Sequence, residues 1–121
     1  MVGRDHRVIV VADDDEAMRL LCRVNLELEG FRVLEARNEA EVEAHVQEEH
    51  VVLVLLDVHL GTENGIEIAR GIRTRHPEVP VAFLTGSVHI GELTAAVSDG
   101  AVRKPFTLEE LIGTVHRLAR P

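Results

Sequence analysis

Aromatic rings and thiols are scarce in this sequence. It has no tryptophan or tyrosine, and its three phenylalanines stand at positions 31, 83 and 106. Flavins and nucleic-acid bases are commonly held by stacking on such rings, so the composition disfavours both kinds of site. The single cysteine, Cys22, excludes an internal disulfide. Its apolar neighbours in a helical pattern predict a buried packing thiol rather than a nucleophile.

Long apolar runs, a basic surface and paired histidines are also missing. The longest apolar run is far shorter than the roughly 20 residues that a membrane-spanning helix needs. The first residues lack the layout of a signal peptide, so we expect a cytoplasmic chain with no membrane contact. The net charge of −8 argues against direct nucleic-acid binding. The seven scattered histidines form no HxH or HxxxH pair, which disfavours a histidine metal site.

The sequence does contain a regular alternation of short apolar strands and helical patterns. Strands are predicted at residues 8–12, 31–36, 51–56, 81–85 and 101–103. Helices are predicted to open at DDDEAM, Asn38, IEIAR, Ser87 and Thr107, and HLGTENG is predicted to be a loop. Strand followed by helix, five times over, predicts an α/β fold: a doubly wound, five-stranded parallel sheet flanked by five helices. We expect one domain spanning residues 1–121.

Polar residues stand where the predicted strands end, the edge at which open parallel sheets bind ligands. These are Asp13, Asp14 and Asp15 after the first strand, Asp57 after the third, Thr85 and Gly86 at the fourth, and Lys104 and Pro105 after the fifth. We interpret Asp15, with Glu16, as helix capping. Two carboxylates about 4 Å apart repel by roughly 1 kcal/mol in water, so a cluster of them favours a bound divalent cation.

Mg²⁺ is the cation expected here, because all ligands would be oxygen atoms; Mn²⁺ is able to take its place. Asp57 and Asp14 would be ligands, and Asp13 would ligate directly or through water. Lys104 can neutralise Asp57 or an added phosphoryl group, to which Thr85 offers a hydroxyl. Gly86 lets the backbone approach closely. These parts can accept and hold a phosphoryl group, although each residue alone has an ordinary structural explanation.

Four segments carry a family resemblance: VVADDDEAMR, LLDVHLGTENG, FLTG and VRKPF. In order and spacing they resemble the motifs of response-regulator receiver domains of two-component signalling, from about Arg7 to Arg120. The resemblance implies a flavodoxin-like receiver fold with Asp57 as the phosphoacceptor. The donor would be a histidine kinase, a phosphotransfer protein or a small molecule such as acetyl phosphate.

The resemblance also implies roles for the residues around the acceptor. Asp13 and Asp14 would organise Mg²⁺ together with the backbone carbonyl of His59. Thr85 would be the switch hydroxyl and Lys104 would pair with the phosphoryl group. The Lys104–Pro105 peptide bond would be cis.

The implied function is a phosphoryl-controlled signalling switch within a phosphorelay, not an enzyme beyond self-catalysed phosphorylation and dephosphorylation of Asp57. Phosphorylation would change partner binding or self-association, so we expect a monomer with a phosphorylation-dependent dimer as an open alternative. The cognate kinase and the downstream protein partner are not readable from the sequence.

The sequence departs from the family pattern in three places. Ala101 stands where an aromatic residue is common, leaving Phe83 or Phe106 as substitutes. The interval from Thr85 to Lys104 is short, which affects the fourth helix and the output face. Gly61 replaces a frequent proline and makes its loop more flexible.

His59 has two readings. It stands two residues after Asp57, so its side chain could tune attack of water on the phosphorylated aspartate. Alternatively, it is an exposed loop residue that supplies only its carbonyl.

Three other functions stay open at this point. A Mg²⁺-dependent aspartyl phosphatase of the haloacid-dehalogenase type needs a second Asp where His59 stands. A flavodoxin-like electron carrier needs aromatic rings and a phosphate loop, and DDDEAM would repel phosphate. A degenerate receiver would bind partners without accepting phosphate, although all acceptor residues are present.

Overall fold

The computed structural model describes residues 7–86 and 98–119, and these contain a five-stranded parallel sheet. The chain order of all strands is β1 (Val8–Ala12), β2 (Arg32–Ala36), β3 (Val51–Asp57), β4 (His59–Leu60), β5 (Glu63–Asn64), β6 (Val81–Thr85) and β7 (Gly100–Arg103). The large sheet has the order β2-β1-β3-β6-β7, and every pair in it is parallel. The predicted doubly wound sheet is confirmed, with its carboxyl ends along one edge.

Four helices lie in the described residues: α1 (Glu16–Leu28), α2 (Glu39–Glu48), α3 (Gly65–Arg75) and α4 (Leu108–Leu118). Five were predicted, and the one expected to begin at Ser87 lies outside the described residues. In residues 7–86 and 98–119, no helix is long and apolar enough to cross a membrane.

Side-chain caps explain where the helices begin. Asn38 and Thr107, both expected to cap, accept backbone N–H groups of the first turn of α2 and α4. Asp15 accepts the N–H of Ala17 and starts α1, which confirms its interpretation as a cap. α1 ends before Gly30, whose φ of +96° favours glycine.

The core has two layers because strand side chains alternate between the faces of the sheet. In β1, Val8, Val10 and Ala12 pack with residues of α2 and α3, whereas Ile9 and Val11 pack with α1 and α4. Cys22 is fully buried in the second layer, as predicted, and burial raises the pKa of its thiol to about 11.

The segment HLGTENG, predicted to be a loop, is a short hairpin instead. β4 and β5 pair antiparallel, His59 with Asn64 and Leu60 with Glu63. Gly61 takes a φ of +63°, which a tight turn needs and glycine adopts without strain. Leu60 is buried, so the hairpin is packed against the body of the fold beside the end of β3.

Candidate functional site

Parallel register brings the polar residues at the strand ends to one edge of the sheet. Asp57 ends β3 opposite Leu84, and Thr85 ends β6 opposite Arg103. The backbone N–H of Lys104 then donates to the carbonyl of Thr85 at 2.6 Å, which extends the pairing by one residue. The main chain of Lys104 is therefore held beside the end of β6, next to the strand that ends at Asp57.

Three carboxylates converge at this edge. One oxygen from each of Asp13, Asp14 and Asp57 lies within 4.8 Å of the others. Asp13 is fully buried, Asp57 is partly buried and Asp14 is exposed, so the cluster opens from the interior toward solvent. A site of this kind can be entered by a hydrated ion and supplies only oxygen ligands, which suits Mg²⁺.

Lys104 is a cation that faces two of the three acids, Asp13 and Asp57. Its Nζ donates to Asp13 Oδ2 at 2.8 Å and lies 3.6 Å from Asp57 Oδ2. Burial opposes the charged form of Lys104, but the hydrogen bond to Asp13 and the charges of both carboxylates outweigh it and raise its pKa. Lys104 thus stays charged and bridges the buried acid and the predicted acceptor.

Asp57 is harder to ionise than an ordinary aspartate. Burial is the largest cause of its raised pKa, and the charges of Asp13 and Asp14 add to it. The N–H of His59, which donates to Asp57 Oδ1 at 3.1 Å, and the charge of Lys104 act in the opposite direction. A divalent cation between the acids would relieve the same repulsion.

Asp13 is fixed by contacts on all its polar atoms. Its N–H donates to the carbonyl of Ala36 at 3.2 Å, and its Oδ1 accepts the N–H of Asp15 at 2.9 Å. Its carbonyl accepts from Arg19 Nη1 at 2.7 Å. The contact from Arg19 was missed from the sequence, where the only signal was a charged residue on the apolar side of α1 with Cys22 and Leu26.

The remaining predicted residues lie around this cluster. Thr85 is mostly buried at the end of β6, and Gly86 is exposed with open space where a side chain would stand. The Lys104–Pro105 peptide bond is cis. Ala101 is exposed on β7; the two rings named as substitutes for an aromatic there are Phe83, which is fully buried, and Phe106, which is half-buried.

His59 is exposed in β4, two residues beyond the partly buried end of β3. Its N–H contacts the carboxylate of Asp57, and its backbone pairs with Asn64 across the hairpin. The hairpin therefore fixes the main chain of His59 next to the acids, which is the part of the residue expected to face a metal ion.

Comparison with known proteins gives matches over nearly the whole chain. The family model described as the response regulator receiver domain matches residues 9–116. The phosphate regulon transcriptional regulatory protein PhoB of Rhizobium meliloti is 37% identical over 118 residues, covering 93% of this chain and 52% of that protein. The response regulator MprA of Mycolicibacterium vanbaalenii is 32% identical over 115 residues, covering 93% of this chain and 50% of that protein. The chain thus spans about half the length of the curated relatives it matches.

Solved structures agree with the fold. The response regulator protein TrrA of Thermotoga maritima, crystallised in complex with Mg²⁺ and BeF, has a TM-score of 0.85 at 29% identity, covering 93% of this chain and 98% of that one. The chemotaxis response regulator CheY4 of Vibrio cholerae has a TM-score of 0.84 at 23% identity, covering 94% of this chain and 99% of that one. At this level of identity the similarity supports the fold alone.

Proposed function

This chain belongs to the response regulator receiver domain family of two-component systems, and from that premise we propose that Asp57 accepts a phosphoryl group. A carboxylate oxygen of Asp57 attacks the phosphorus of a phosphohistidine on a histidine kinase or phosphotransfer protein. The new O–P bond forms as the P–N bond breaks, and the leaving imidazole carries away the bonding electron pair and then binds a proton. The observation that supports this most is the convergence of Asp57, two further acids and Lys104 at one sheet edge.

We propose Mg²⁺ as the cofactor, with Mn²⁺ as a substitute. Asp14, Asp57, Asp13 and the backbone carbonyl of His59 would hold it. When bound, Mg²⁺ neutralises charge on the phosphoryl oxygens and so lowers the barrier to transfer. The all-oxygen donor set, partly open to solvent, fits this ion, and TrrA was crystallised with Mg²⁺ and BeF.

The chain's own residues supply the rest of the chemistry. Lys104, already 3.6 Å from Asp57 Oδ2, would move its ammonium onto a phosphoryl oxygen as negative charge is added there. Thr85 would donate its hydroxyl to another oxygen, and Gly86 leaves room for the group. Since no other reaction is required of these residues, we propose a signalling domain with no enzyme activity beyond turnover at Asp57.

The output of the switch is a protein contact. Phosphorylation adds charge at the edge and draws Thr85 and Lys104 toward it, which would shift the surface formed by β7 and α4 between two arrangements. We propose that this surface controls a protein partner or self-association of a chain that is otherwise a monomer. With a net charge of −8, this cytoplasmic domain would not bind nucleic acid itself.

Intact-mass spectrometry after incubation with Mg²⁺ and acetyl phosphate tests the proposal. We expect the native chain to gain the mass of one phosphoryl group, and Asp57→Asn or added EDTA to abolish the gain. Asp15→Asn is the matched control, because it makes the same change at a neighbouring cap outside the acid cluster and should still be phosphorylated. A native chain that binds Mg²⁺ but gains no mass, from acetyl phosphate or from histidine kinases, would contradict the proposal.

A further inference from the structure

Arg19 is a charged side chain buried beneath the acid cluster. It retains only 7% of its exposure and lies on the same side of α1 as Cys22 and Leu26, both fully buried. Burying a guanidinium is costly unless its donors are paired, so an apolar residue would be the simpler choice here. The contacts of Arg19 therefore indicate the role of its charge.

The guanidinium of Arg19 joins two parts of the fold. Its Nη1 donates to the backbone carbonyl of Asp13 at 2.7 Å, and its Nε donates to Glu35 Oε1 at 2.9 Å. Glu35 belongs to β2, whereas Asp13 begins the loop that carries the acids. The planar fork of arginine can make both bonds at once, which the single ammonium of lysine cannot do with the same geometry.

Glu35 is itself anchored on two sides. Arg23 Nε lies 3.2 Å from its second carboxylate oxygen, and His45 Nε2 lies 3.0 Å from its backbone carbonyl. The next residue of β2, Ala36, accepts the N–H of Asp13. Both polar groups of the Asp13 main chain are therefore tied to β2, one directly and one through Arg19.

We infer that Arg19 is a positioning residue for the metal site, an inference that rests on the proposed binding of Mg²⁺ by the acid cluster. Arg19 and Glu35 hold the Asp13 peptide so that the carboxylates of Asp13 and Asp14 converge on Asp57 in spite of their repulsion. Without the guanidinium, the buried Asp13 carbonyl loses its donor and the acid loop is free to relax outward. Arg19 itself would not touch the ion.

Isothermal titration with Mg²⁺ alone tests this in the full chain. We expect Arg19→Met to weaken Mg²⁺ binding about tenfold, the range found when a residue that orients a metal ligand is removed. Arg19→Lys can keep one of the two bonds, so its Mg²⁺ affinity should lie between those of wild type and Arg19→Met. Arg32→Met is the matched control: it removes an arginine at the start of β2, at the opposite end of the strand from the acids, where it pairs with Glu49 at 2.8 Å, and it should leave Mg²⁺ affinity unchanged.

A merely structural role would lower stability without moving the site, so the amide NMR signals of Asp13 and Asp15 provide a second readout. They should shift in Arg19→Met and stay in place in Arg32→Met. Arg19→Met that is folded and binds Mg²⁺ within about twofold of wild type would overturn the inference. If that variant does not fold, Glu35→Gln takes its place: severalfold weaker binding is expected, and unchanged binding overturns the inference. A wild-type chain that binds no Mg²⁺ would instead refute the proposed function.

Discussion

Gly65 is a residue at which one added methyl group tests how tightly the end of β3 is held. Its N–H donates to the carbonyl of Val58 at 2.7 Å. A Cβ at this position would lie 2.8 Å from that carbonyl and closer still to the carbonyl of Asp57. Both are backbone atoms, so relief requires the strand end or α3 to move.

We therefore expect Gly65→Ala to destabilise the fold by about 1–3 kcal/mol, the usual effect of overpacking. It should also slow phosphorylation by acetyl phosphate, because the added Cβ presses on the main-chain carbonyl of Asp57. Urea denaturation followed by circular dichroism measures the first effect. Gly113→Ala in α4 is the control: nothing lies within 4 Å of its added Cβ, and alanine there should stabilise the helix by about 0.5–1 kcal/mol. Equal changes in unfolding free energy and phosphorylation rate for Gly65→Ala and Gly113→Ala would contradict the close packing of Gly65.

At the residue scale, the sequence predicted which residues meet at the strand ends. It did not predict which side chains hold them in place. Asp13, Asp57 and Lys104 were expected together because parallel strands share one edge, and the fold does bring them together. The bond from Arg19 to the Asp13 carbonyl depends on the rotation of α1 against β2, which the helical pattern does not specify. The sequence could only show a charge on the apolar side of the helix.

At the scale of elements, Glu43 ties α2 to α3. Its carboxylate accepts from Arg75 at 2.8 Å, from His76 at 2.8 Å and from Gln47 at 2.9 Å. Burial alone would raise the pKa of Glu43, but these hydrogen bonds outweigh it and lower the pKa to about 2. The folded chain therefore releases this proton more readily than the unfolded chain does.

A lowered pKa means that Glu43 contributes its stability above its ordinary pKa of 4.5 and loses it as the pH falls toward 2. We expect Glu43→Gln to cost about 1 kcal/mol at pH 7, a modest figure because the network is partly exposed. The difference from wild type should shrink between pH 5 and pH 3 in urea denaturation. Glu67→Gln removes an exposed partner 3.6 Å from Arg70 and should have no measurable effect. A loss from Glu43→Gln that is independent of pH would show that packing, not charge, is responsible.

The outer side of α1 presents an apolar strip close to the acid loop. Leu20, Leu21, Val24 and Leu28 are between 41% and 79% exposed and share one side of the helix. Because α1 starts directly after the acid loop, we expect this strip to contact the phosphodonor protein. Leu20→Gln with Val24→Gln should slow transfer at least tenfold from any kinase that phosphorylates the wild type. Labelling by acetyl phosphate should be unchanged, and equal slowing with both donors would contradict a docking role.

The sequence predicted the strands of the large sheet better than it predicted the short β4–β5 hairpin. The five predicted strands of the large sheet are all present. The central strands β1, β3 and β6 are continuous apolar runs that are buried on both faces, whereas the edge strands β2 and β7 are partly exposed. The β4–β5 hairpin was missed because two-residue strands carry no periodic pattern. Its signal was confined to Gly61, which was read as added flexibility and takes the positive φ of a tight turn.

At the scale of the whole molecule, the acid cluster opposes folding, and the proposed Mg²⁺ would turn it into a source of stability. The raised pKa of Asp57 means that its contribution to stability is present below its ordinary pKa of 3.8 and lost as the pH rises through the raised value. At pH 7 without metal, Asp57 is therefore a cost to the folded state. A bound cation would turn this cost into a stabilising contribution, because a ligand that binds only the native state stabilises that state.

We therefore expect the order of stability of wild type and Asp57→Asn to reverse with Mg²⁺. In EDTA at pH 7, the variant should be more stable by about 1 kcal/mol, the repulsion of one nearby carboxylate pair in water. At Mg²⁺ one hundred times the dissociation constant, wild type should gain about 2.7 kcal/mol and the variant much less. Urea denaturation in both buffers measures the reversal.

Two controls separate metal binding from general screening of the net charge of −8. NaCl at matched ionic strength should stabilise wild type and variant alike, because screening acts on all exposed charges. Asp15→Asn makes the same change of charge just outside the cluster and should keep the full gain from Mg²⁺. An equal gain by wild type and Asp57→Asn would mean that the ion does not bind at the acid cluster, and that the cost of crowding these carboxylates is offset by something other than a metal.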